Sequence, residues 1–505
     1  MVSEEFMKRK VFLRADGGTA IGLGHVVRSC ALADMLKEDF ECYFFIRNPS
    51  PAVSELILGS CLQVHSLPDD VSYSEEAAAW ANSFSGNEIV VLDGYTFNEE
   101  YQQQIKLAGV KLVCIDDIHA THFVADAIIN HAAGITAGNY ATELYTSLSL
   151  GTDYVLLRAP FLDAVSQRKE RIKLSSLFIC LGGSDFNNLT GKMLEAAVIS
   201  GSLKSISVVV GDAFRHIDQL KADIAKYIAS GHIEINLYRN VPATEMAKIL
   251  SASDLAICPC SSVLFEACAV GIGLISGFYV DNQQHIFRYL DQKGIFAGIG
   301  DFNTATVIAI AEKISSMNVR QVNQQIGIQK EFIDGDSPRR LRKLFHKLEK
   351  EYETAGRKVV ASDVQVLFDW ANDPETRVNA INTDLIPWEG HVQWFNRKIQ
   401  DPGSHMFIFE QADTEKRIGL TRFDFLDGVY LISYLVGKEY RGAGWGEVIL
   451  KSGIYLLMKA VGGRPKLRAM VKEGNVPSCQ VFLNLGFVAE EPVVIDNIIY
   501  KVYEK

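Results

Sequence analysis

The chain has 505 residues, too many for one hydrophobic core, so two or three domains are expected. Hydrophobic residues make up 48% and charged residues 22%, as in ordinary globular proteins, and the net charge of −11 argues against nucleic acid as the main partner. The sequence has no apolar signal core and no apolar run that could span a bilayer, and its nine cysteines lack regular spacing. These features predict a cytoplasmic protein without a membrane span.

The first predicted elements are a strand at Val11–Ala15, a Gly-rich turn, and a helix over Val26–Leu36. Gly22 and Gly24 allow a sharp turn and close approach of the backbone to a ligand. His25 lies at the helix start, where free amides and the helix dipole favour an anion. A neutral imidazole there could take a proton from water, but it could equally be a cap without chemistry. This motif alone does not separate the two interpretations.

Short apolar runs alternate with helical patterns up to about residue 154, which predicts βαβ units and a parallel, doubly wound sheet. Further strands are predicted at Glu41–Ile46, Ile89–Leu92, Lys111–Ile115 and Ala127–Ile129, and a further helix at Glu99–Leu107. Polar residues follow three of these strands: Asp93 and Tyr95, then Asp116, Asp117 and His119, then Asn130 and His131. Any one of them could be a helix cap, but strand ends share one sheet edge, so together they predict a crevice around His25.

A second α/β pattern begins after Pro160. A strand at Leu177–Leu181 leads into a Gly-rich turn with Gly183 and a helix from about Leu189. Further strands are predicted at Ser205–Val210, Leu255–Cys258 and Leu274–Ser276, and Asp281 opens a later helix.

Ser261 and Ser262 lie at a helix start, where hydroxyls and amides can hold a diphosphate. Glu266 follows about one turn later and is placed to accept two ribose hydroxyls. The alternatives are capping serines and a glutamate on a solvated helix face. Cys258 and Cys260 lack a second pair of ligands, so no metal site is predicted.

Seven motifs between residues 9 and 345 can be considered together. They are Arg14-Ala-Asp16, Gly22-x-Gly-His25-Val-x-Arg28, Asp93-Gly-Tyr95, Gly151-x-x-Tyr-x-Leu-Leu-Arg158, Leu181-Gly-Gly-x-Asp185, Ser261-Ser-x-x-x-Glu266 and Asp281-Asn-Gln283. This set resembles the UDP-sugar hydrolases of pseudaminic acid biosynthesis, which have two Rossmann-like domains in the glycosyltransferase-B arrangement.

The resemblance implies hydrolysis of UDP-2,4-diacetamido-2,4,6-trideoxy-β-L-altropyranose to the free sugar and UDP. The C–O bond at the anomeric carbon would break with inversion, without a metal, and with His25 as general base. The resemblance places Glu266 on the ribose, Asn282 and Gln283 near the sugar and phosphates, and Tyr95 near the sugar. The full set of implied substrate-binding residues is Asp16, Gly22, Gly24, Arg28, Tyr95, Gly183, Ser261, Ser262, Glu266, Asn282 and Gln283.

A charged amphipathic helix is predicted from Ser337 to about Thr354, followed by a domain boundary at Ala355–Gly356. Its basic face could bind an anion, although a solvated closing helix is the simpler interpretation. Beyond it we predict a helix at Val364–Trp370 and an antiparallel group of strands. These strands are Met406–Glu410, Arg417–Phe425 and Val429–Val436, with a hairpin turn at Asp427–Gly428.

A Gly-rich loop, Arg441-Gly-Ala-Gly444-Trp-Gly446, follows the last of these strands, and a helix starts near Glu447. Its amides suit a pyrophosphate. Together with Asn475-x-x-Ser478-x-x-x-Phe482-x-x-x-Gly486-Phe487, it resembles the acetyl-CoA motifs of GCN5-related N-acetyltransferases over residues 359–500.

The resemblance implies that backbone amides between Arg441 and Gly446 bind the CoA pyrophosphate, and that Asn475 contacts the CoA arm. The implied cofactor-binding residues are Leu435, Val436, Arg441, Gly442, Gly444, Gly446 and Asn475, of which Leu435 and Val436 pair with the pantetheine. Phe482 stands where this family often has a tyrosine that protonates the thiolate. The acid therefore lies elsewhere, or the domain binds CoA without efficient turnover. His391 and Trp394 resemble the branch that acetylates amino sugars and protein N-termini, but packing explains them equally well.

The sequence therefore predicts an α/β chain with two Rossmann-like domains, at 8–155 and 156–352, and an α+β acetyltransferase domain at 357–505. The expected function is a bifunctional enzyme that acetylates a UDP-linked 4-amino sugar with acetyl-CoA and then removes UDP. One alternative is a glycosyltransferase of the same fold with a non-catalytic CoA-binding module. A weaker one is a UDP-N-acetylglucosamine 2-epimerase.

Overall fold

The computed structural model describes residues 8–18, 22–183, 185–229, 231 and 233–505. The strands of its first part are β1 (Lys10–Ala15), β2 (Glu41–Arg47), β3 (Gln63–Leu67), β4 (Ile89–Asp93), β5 (Lys111–Ile115), β6 (His122–Phe123), β7 (Ala127–Asn130), β8 (Ala141–Thr142) and β9 (Ser147–Leu150). The helices are α1 (Gly24–Leu36), α2 (Pro51–Leu58), α3 (Tyr73–Ala81), α4 (Glu99–Leu107) and α5 (Ala159–Val165).

Seven of these strands form a sheet in the order β3-β2-β1-β4-β5-β7-β9, with every pair parallel, while β6 and β8 form a separate pair. All five residues of the central strand β4 are buried, since helices cover both faces of the sheet. Ile89 and Val91 belong to the core under α1, whereas Val90 and Leu92 belong to the core under α3 and α4. The five predicted strands are confirmed.

The second part adds six strands and eight helices among the described residues. They are β10 (Ser176–Ile179), α6 (Leu189–Ile199), β11 (Ser205–Val210), α7 (Ile217–Ala229), β12 (Glu234–Arg239), α8 (Ala243–Ala252), β13 (Leu255–Pro259), α9 (Ser262–Val270), β14 (Gly273–Phe278), α10 (Asp281–Gln292), β15 (Ala297–Asp301), α11 (Val307–Ser316), α12 (Val319–Phe332) and α13 (Ser337–Tyr352). The strands form a second parallel sheet in the order β12-β11-β10-β13-β14-β15. A second doubly wound sheet therefore follows the first, as the alternating pattern predicted.

Helix α13 packs on the first sheet although it follows the second. Leu341, Leu344, Phe345 and Leu348 are buried in the same core as β1 and α1. The predicted range 156–352 assigns this helix to the second domain, because an apolar stripe shows that a helix is covered without showing by what. The division of the chain into domains stays a prediction.

The third part comprises seven strands and five helices. They are β16 (Thr354–Lys358), α14 (Val364–Ala371), α15 (Pro374–Asn379), α16 (Trp388–Gln400), β17 (Ser404–Gln411), β18 (Arg417–Leu426), β19 (Val429–Val436), α17 (Trp445–Val461), β20 (Leu467–Lys472), α18 (Val476–Asn484), β21 (Val488–Ile495) and β22 (Ile498–Glu504). Their sheet runs β16-β17-β18-β19-β20-β22-β21 and is antiparallel except between β19 and β20. Strand β16 spans the boundary predicted at residues 355–356, so the third sheet begins before that boundary.

A buried ionic network ties the third part to the first. Lys451 of α17 and Lys111 of β5 both pair with Glu351 at the end of α13, at 2.7 and 2.6 Å. Lys106 lies 2.6 Å from Asp126 in the same network. The third sheet is thus seated on the first through charges that are mostly removed from solvent.

Candidate active sites

The first candidate site is built around His25, the second residue of α1. Gly22 has a φ of +80° and exchanges two backbone hydrogen bonds with Gly18, which closes the turn that leads into the helix. Leu23 is the N-cap of α1 and makes no side-chain capping hydrogen bond. Gly24 opens the helix, and the His25 side chain is 14% exposed.

The imidazole of His25 is held by the end of β4. His25 Nδ1 lies 2.7 Å from Oδ1 of Asp93, a carboxylate with no solvent exposure. When Nδ1–H donates to this carboxylate, the lone pair of the neutral ring lies on Nε2. Arg28 Nη2 also lies 3.0 Å from His25 Nδ1, and the general-base role of His25 stays a prediction.

Arg28, one turn further along α1, joins the two acidic strand ends. Its guanidinium donates to Asp93 at 2.6 to 2.9 Å and to Asp117 at 2.8 Å. Burial alone would raise the pKa of Asp93, but the charge and hydrogen bonds of Arg28, with the hydrogen bond from His25, hold it below its ordinary value. Asp93 is therefore a stable carboxylate that can orient His25.

Tyr95 and Asp117 lie on the exposed side of this cluster. The Tyr95 ring meets the His25 ring edge-on at 4.8 Å, and its hydroxyl donates to Asp117 Oδ2 at 3.3 Å. Burial and the Asp117 charge raise the pKa of Tyr95 to about 12, so its hydroxyl keeps its proton. Oδ1 of Asp117 is buried without a hydrogen-bond partner among the described residues. This oxygen is an acceptor on the carboxylate that Arg28 and Tyr95 share.

Asp16, predicted to bind substrate, lies in a neighbouring charged cluster. It accepts hydrogen bonds from the fully buried Arg14 at 2.7 and 2.8 Å and from Tyr73 at 3.0 Å. Arg14 also pairs with Glu76, which in turn binds Arg47 at 2.5 Å. Sequence reasoning missed Glu76, Arg47 and Tyr73, because nothing in their local patterns links them to the end of β1.

The remaining polar strand ends converge as predicted. Asp116 accepts hydrogen bonds from Tyr140 at 2.9 Å and from the backbone of His119 at 2.8 Å. Tyr140, which the sequence did not single out, also contacts Asn130 at 2.7 Å. The predicted crevice edge therefore exists in the fold, with Tyr140 as an added member.

His131 connects this edge to the second sheet. Its ring packs on Phe265 of α9 at 5.3 Å, and its Nδ1 accepts a hydrogen bond from the backbone of Leu156 at 3.3 Å. Burial, together with the charge of Arg28, lowers the pKa of His131 to about 4, so the ring is neutral. The edge that carries His25 thus meets the helix that carries Ser262 and Glu266.

The predicted diphosphate residues lie at the start of α9. Ser261 is the N-cap, but its side chain makes no capping hydrogen bond, so the capping interpretation is not supported. Glu266 is only 4% exposed and pairs with Arg158 at 2.8 Å, so the alternative of a solvated helix face is wrong. Burial raises the pKa of Glu266 although Arg158 opposes this.

The other predicted substrate residues of the second sheet have mixed positions. Gly183 is exposed in the loop after β10, and a Cβ added to it would meet no atom within 4 Å. Gln283 is buried in α10, where its Oε1 accepts a hydrogen bond from the Tyr279 backbone at 3.2 Å. Asn282 also belongs to α10, but its side chain lies outside the described part of the structure.

The second candidate site lies at the end of β19. The parallel pairing of β19 with β20 ends at Ile432, while Leu435 and Val436 still pair with β18. The edge of Leu435 and Val436 that faces away from β18 is therefore placed to receive an extended ligand.

The loop that follows has the geometry of an anion site. Gly442 and Gly444 have φ of +74° and +82°, and Gly444 is the N-cap of α17. The Arg441 side chain does not face an open site, because it pairs with Asp373 at 2.7 Å and Glu375 at 2.9 Å. The predicted contribution of this loop therefore rests on its backbone amides.

The predicted Asn475 caps α18, accepting a hydrogen bond from the Ser478 backbone at 3.3 Å. His391 is 2% exposed and hydrogen-bonds the Val364 carbonyl at 3.1 Å, so the packing interpretation of His391 is confirmed.

Tyr434 is a candidate for the acid that protonates the CoA thiolate, which the sequence did not identify. Its hydroxyl is 3.0 Å from Ser478 Oγ and its ring is 5.9 Å from Phe482, and a Cβ on Gly446 would lie 3.3 Å from the same ring. Burial raises the pKa of Tyr434 to about 12. Tyr434 thus places a protonated phenol beside both acetyl-CoA motifs.

Among the described residues, no group of three or more histidine, cysteine, aspartate or glutamate side chains is arranged to hold a metal ion. Within the same ranges, no helix combines the length and apolar character that crossing a membrane requires.

The class of the chain follows from the three sheets and from a family comparison. Residues 357–488 match the family model described as an acetyltransferase (GNAT) domain. The chain is therefore an α/β protein with a C-terminal GNAT domain.

Comparison with individual proteins gives relatives of the N-terminal half and of nearly the whole chain. The chain is 27% identical to UDP-2,4-diacetamido-2,4,6-trideoxy-beta-L-altropyranose hydrolase of Campylobacter jejuni, over 56% of this chain and 97% of that protein. It is 22% identical to an uncharacterized protein of Methanocaldococcus jannaschii, over 95% of this chain and 96% of that protein. The crystal structure of Acinetobacter baumannii MurG matches with a TM-score of 0.47 and 14% identity, over 67% of this chain and 99% of MurG. The N-terminal half thus resembles a UDP-sugar hydrolase, and a GNAT domain follows it, as predicted.

Proposed function

We propose that the two parallel sheets form a glycosyltransferase-B pair that hydrolyses UDP-2,4-diacetamido-2,4,6-trideoxy-β-L-altropyranose, and that the GNAT domain acetylates its 4-amino precursor with acetyl-CoA. The observation that carries the hydrolysis is the 2.7 Å pair between His25 and the buried Asp93. The 27% identity to a hydrolase of this substrate supports the assignment. The alignment of the Methanocaldococcus relative over 95% of this chain supports a role for both halves together.

In the proposed hydrolysis, His25 Nε2 takes a proton from water while Asp93 keeps the ring oriented. The water oxygen attacks the anomeric carbon from the face opposite UDP. The bond between that carbon and the diphosphate oxygen breaks, its electron pair leaves with UDP, and the sugar is released with inverted configuration. Amides at the start of α9, beside Ser261 and Ser262, stabilise the leaving diphosphate, so the proposed reaction uses no metal.

In the proposed acetylation, the 4-amino nitrogen attacks the acetyl carbonyl and CoA leaves as a thiolate. Tyr434 donates its proton to that sulfur and recovers one from solvent, while the extra amine proton goes to water. Tyr434 is proposed for this step because Phe482 cannot donate a proton and the Tyr434 ring packs beside it. The product is the diacetamido sugar that the first site consumes.

The hydrolysis is tested by incubating the protein with the UDP-linked diacetamido sugar in isotopically labelled water, without an acceptor. We expect labelled oxygen in the sugar and not in UDP, an inverted anomer by NMR, and a strongly reduced rate with His25→Ala. UDP release only after addition of an acceptor would make the chain a glycosyltransferase.

The acetylation is tested with the UDP-linked 4-amino sugar and acetyl-CoA. We expect free thiol and a sugar that has gained one acetyl group, and in His25→Ala this acetylated UDP-sugar should accumulate. CoA binding without thiol release would make the GNAT domain a binding module.

A further inference from the structure

The basic face of α13 does not lie in open solvent. Arg339, Lys343, Lys347 and Lys350 follow one another at spacings of three or four residues, so they share one side of the helix. That side is opposite the buried apolar stripe and faces the Gly-rich loop before α17. The Lys347 side chain comes within 3.9 Å of the position of a Cβ on Gly444.

A cleft of about 310 Å³ separates α13 from this loop. Its wall on one side is α13, with Arg342 and His346 beside the basic face, and on the other side it is Ala443 and Gly444; Asp39 contributes one carboxylate to the lining. This volume is in the range of small-ligand sites, and the lining residues of α13 extend over about 16 Å of helix. The loop is the same one whose amides are proposed to bind the CoA diphosphate.

The charges in this cleft are only partly neutralised. Lys347 pairs with Glu447 and Arg339 with Asp336. Arg342 pairs with Glu38, and His346 lies within ion-pair distance of Asp39 and Glu349. Lys343 is exposed, and neither it nor Lys350 has an ion-pair partner among the described residues.

Lys350 is the more buried of the two unpaired lysines. It donates to the Ala443 carbonyl at 2.5 Å and lies 5.2 Å from the centre of the Trp445 ring. Burial is the main cause that lowers the pKa of Lys350; Glu353 and Glu349 oppose the shift, and the charges of Lys347 and Lys343 add to it. An anion in the cleft would relieve this repulsion.

We propose that this cleft receives the phosphorylated adenosine end of CoA, with Lys343 and Lys350 facing its 3′-phosphate. CoA carries that phosphate on the ribose to which its diphosphate is attached, so a loop that holds the diphosphate places the 3′-phosphate one ribose away. The wall available at that distance is α13, which lies outside the residues matched to the GNAT family. The inference rests on the proposed acetyltransferase function and adds that the CoA site is completed by a helix from the hydrolase-like half.

The test is calorimetric titration of the full-length protein with CoA and with dephospho-CoA, which lacks the 3′-phosphate. We expect Lys343→Ala and Lys350→Ala each to weaken CoA binding about three- to tenfold and dephospho-CoA binding less than about twofold. Lys248→Ala, at an exposed lysine of α8, is the matched control and should bind both ligands like wild type. Thermal unfolding without ligand checks that each variant is folded.

Wild-type affinity for CoA in both variants would overturn the inference and leave the proposed acetylation intact. Equal losses for CoA and dephospho-CoA would also overturn it, because the lysines would then not face the 3′-phosphate. A wild-type protein that binds neither ligand would refute the proposed acetylation and this inference together.

Discussion

Replacing Asp93 by Asn tests whether His25 is an oriented base. The carboxylate lies 2.7 Å from Nδ1, so the charge centres of Asp93 and a protonated His25 are about 4 Å apart. At an effective dielectric constant of about 20, such a pair interacts by about 4 kcal/mol. If about half the proton has transferred in the transition state, the loss is about 2 kcal/mol, and full transfer gives about 4 kcal/mol. We therefore expect kcat to fall about 30- to 1000-fold, with little change in KM.

The assay is UDP release from the diacetamido sugar nucleotide at saturating concentration. Asp93→Asn also removes a buried partner of Arg28, which costs about 3–5 kcal/mol of stability, so assays should be run well below the measured unfolding temperature. Asp117→Asn is the matched control, since it takes a carboxylate from Arg28 but leaves the His25–Asp93 pair intact.

A double-mutant cycle tests whether Asp93 acts through His25. If Asp93 acts through His25, the variant with both His25→Ala and Asp93→Asn should be no slower than His25→Ala alone. An Asp93→Asn enzyme within threefold of wild-type kcat, or losses that multiply in the double variant, would refute the orienting role.

Four further outcomes are expected. Tyr434→Phe should slow thiol release about 10- to 100-fold without changing the KM for acetyl-CoA, and an unchanged rate would place the acid elsewhere. If Glu266 turns from Arg158 to the ribose, Glu266→Gln should weaken the binding of UDP about tenfold in calorimetry, and that of dUDP less. Equal affinities of the variant and wild type for UDP would exclude this contact. Lys451→Met should lower the urea-unfolding free energy by about 3–5 kcal/mol because it breaks a buried ion pair. Burial alone would raise the pKa of Asp126, but three lysines hold it below the value in the unfolded chain. The contribution of Asp126 to the free energy of unfolding is therefore full above about pH 4 and is lost as the pH falls further. Asp126→Asn should make the free energy of unfolding depend less on pH in this range.

The sequence predicted the core of the first site because parallel strands place their carboxyl ends together. From this rule His25, Asp93, Asp117 and Asn130 were expected at one edge, and the structure brings them there. The rule says nothing about partners that arrive from helices and loops, so the Glu76 cluster and Tyr140 were missed. A polar residue in a helix has many explanations, and only the fold shows which charge it meets.

Edge strands and helix partners were also beyond sequence reasoning. Strands β3 and β9 have the sequences Gln-Val-His-Ser-Leu and Ser-Leu-Ser-Leu, whose mixed polarity suits a sheet edge and gives no continuous apolar run. The periodicity of α13 predicted a helix from Ser337 to about Thr354, and the observed helix ends at Tyr352. It could not reveal that the apolar side covers the first sheet and that the basic side meets the GNAT loop.

The ionic network beneath the GNAT domain is relevant to the contact between the basic side of α13 and the GNAT loop. Removing Lys451, Glu351 and Asp126 from water is costly unless all the charges find partners. Lys451 of the third part meets Glu351 at the end of α13, and Lys111 of β5 reaches the same carboxylate. We infer that the network fixes the orientation of the GNAT domain, so the cleft beside the Gly-rich loop is a constant feature of the fold. A CoA site shared between the two halves is consistent with a fusion whose parts are held in register, since two loosely linked domains would not keep α13 beside the loop.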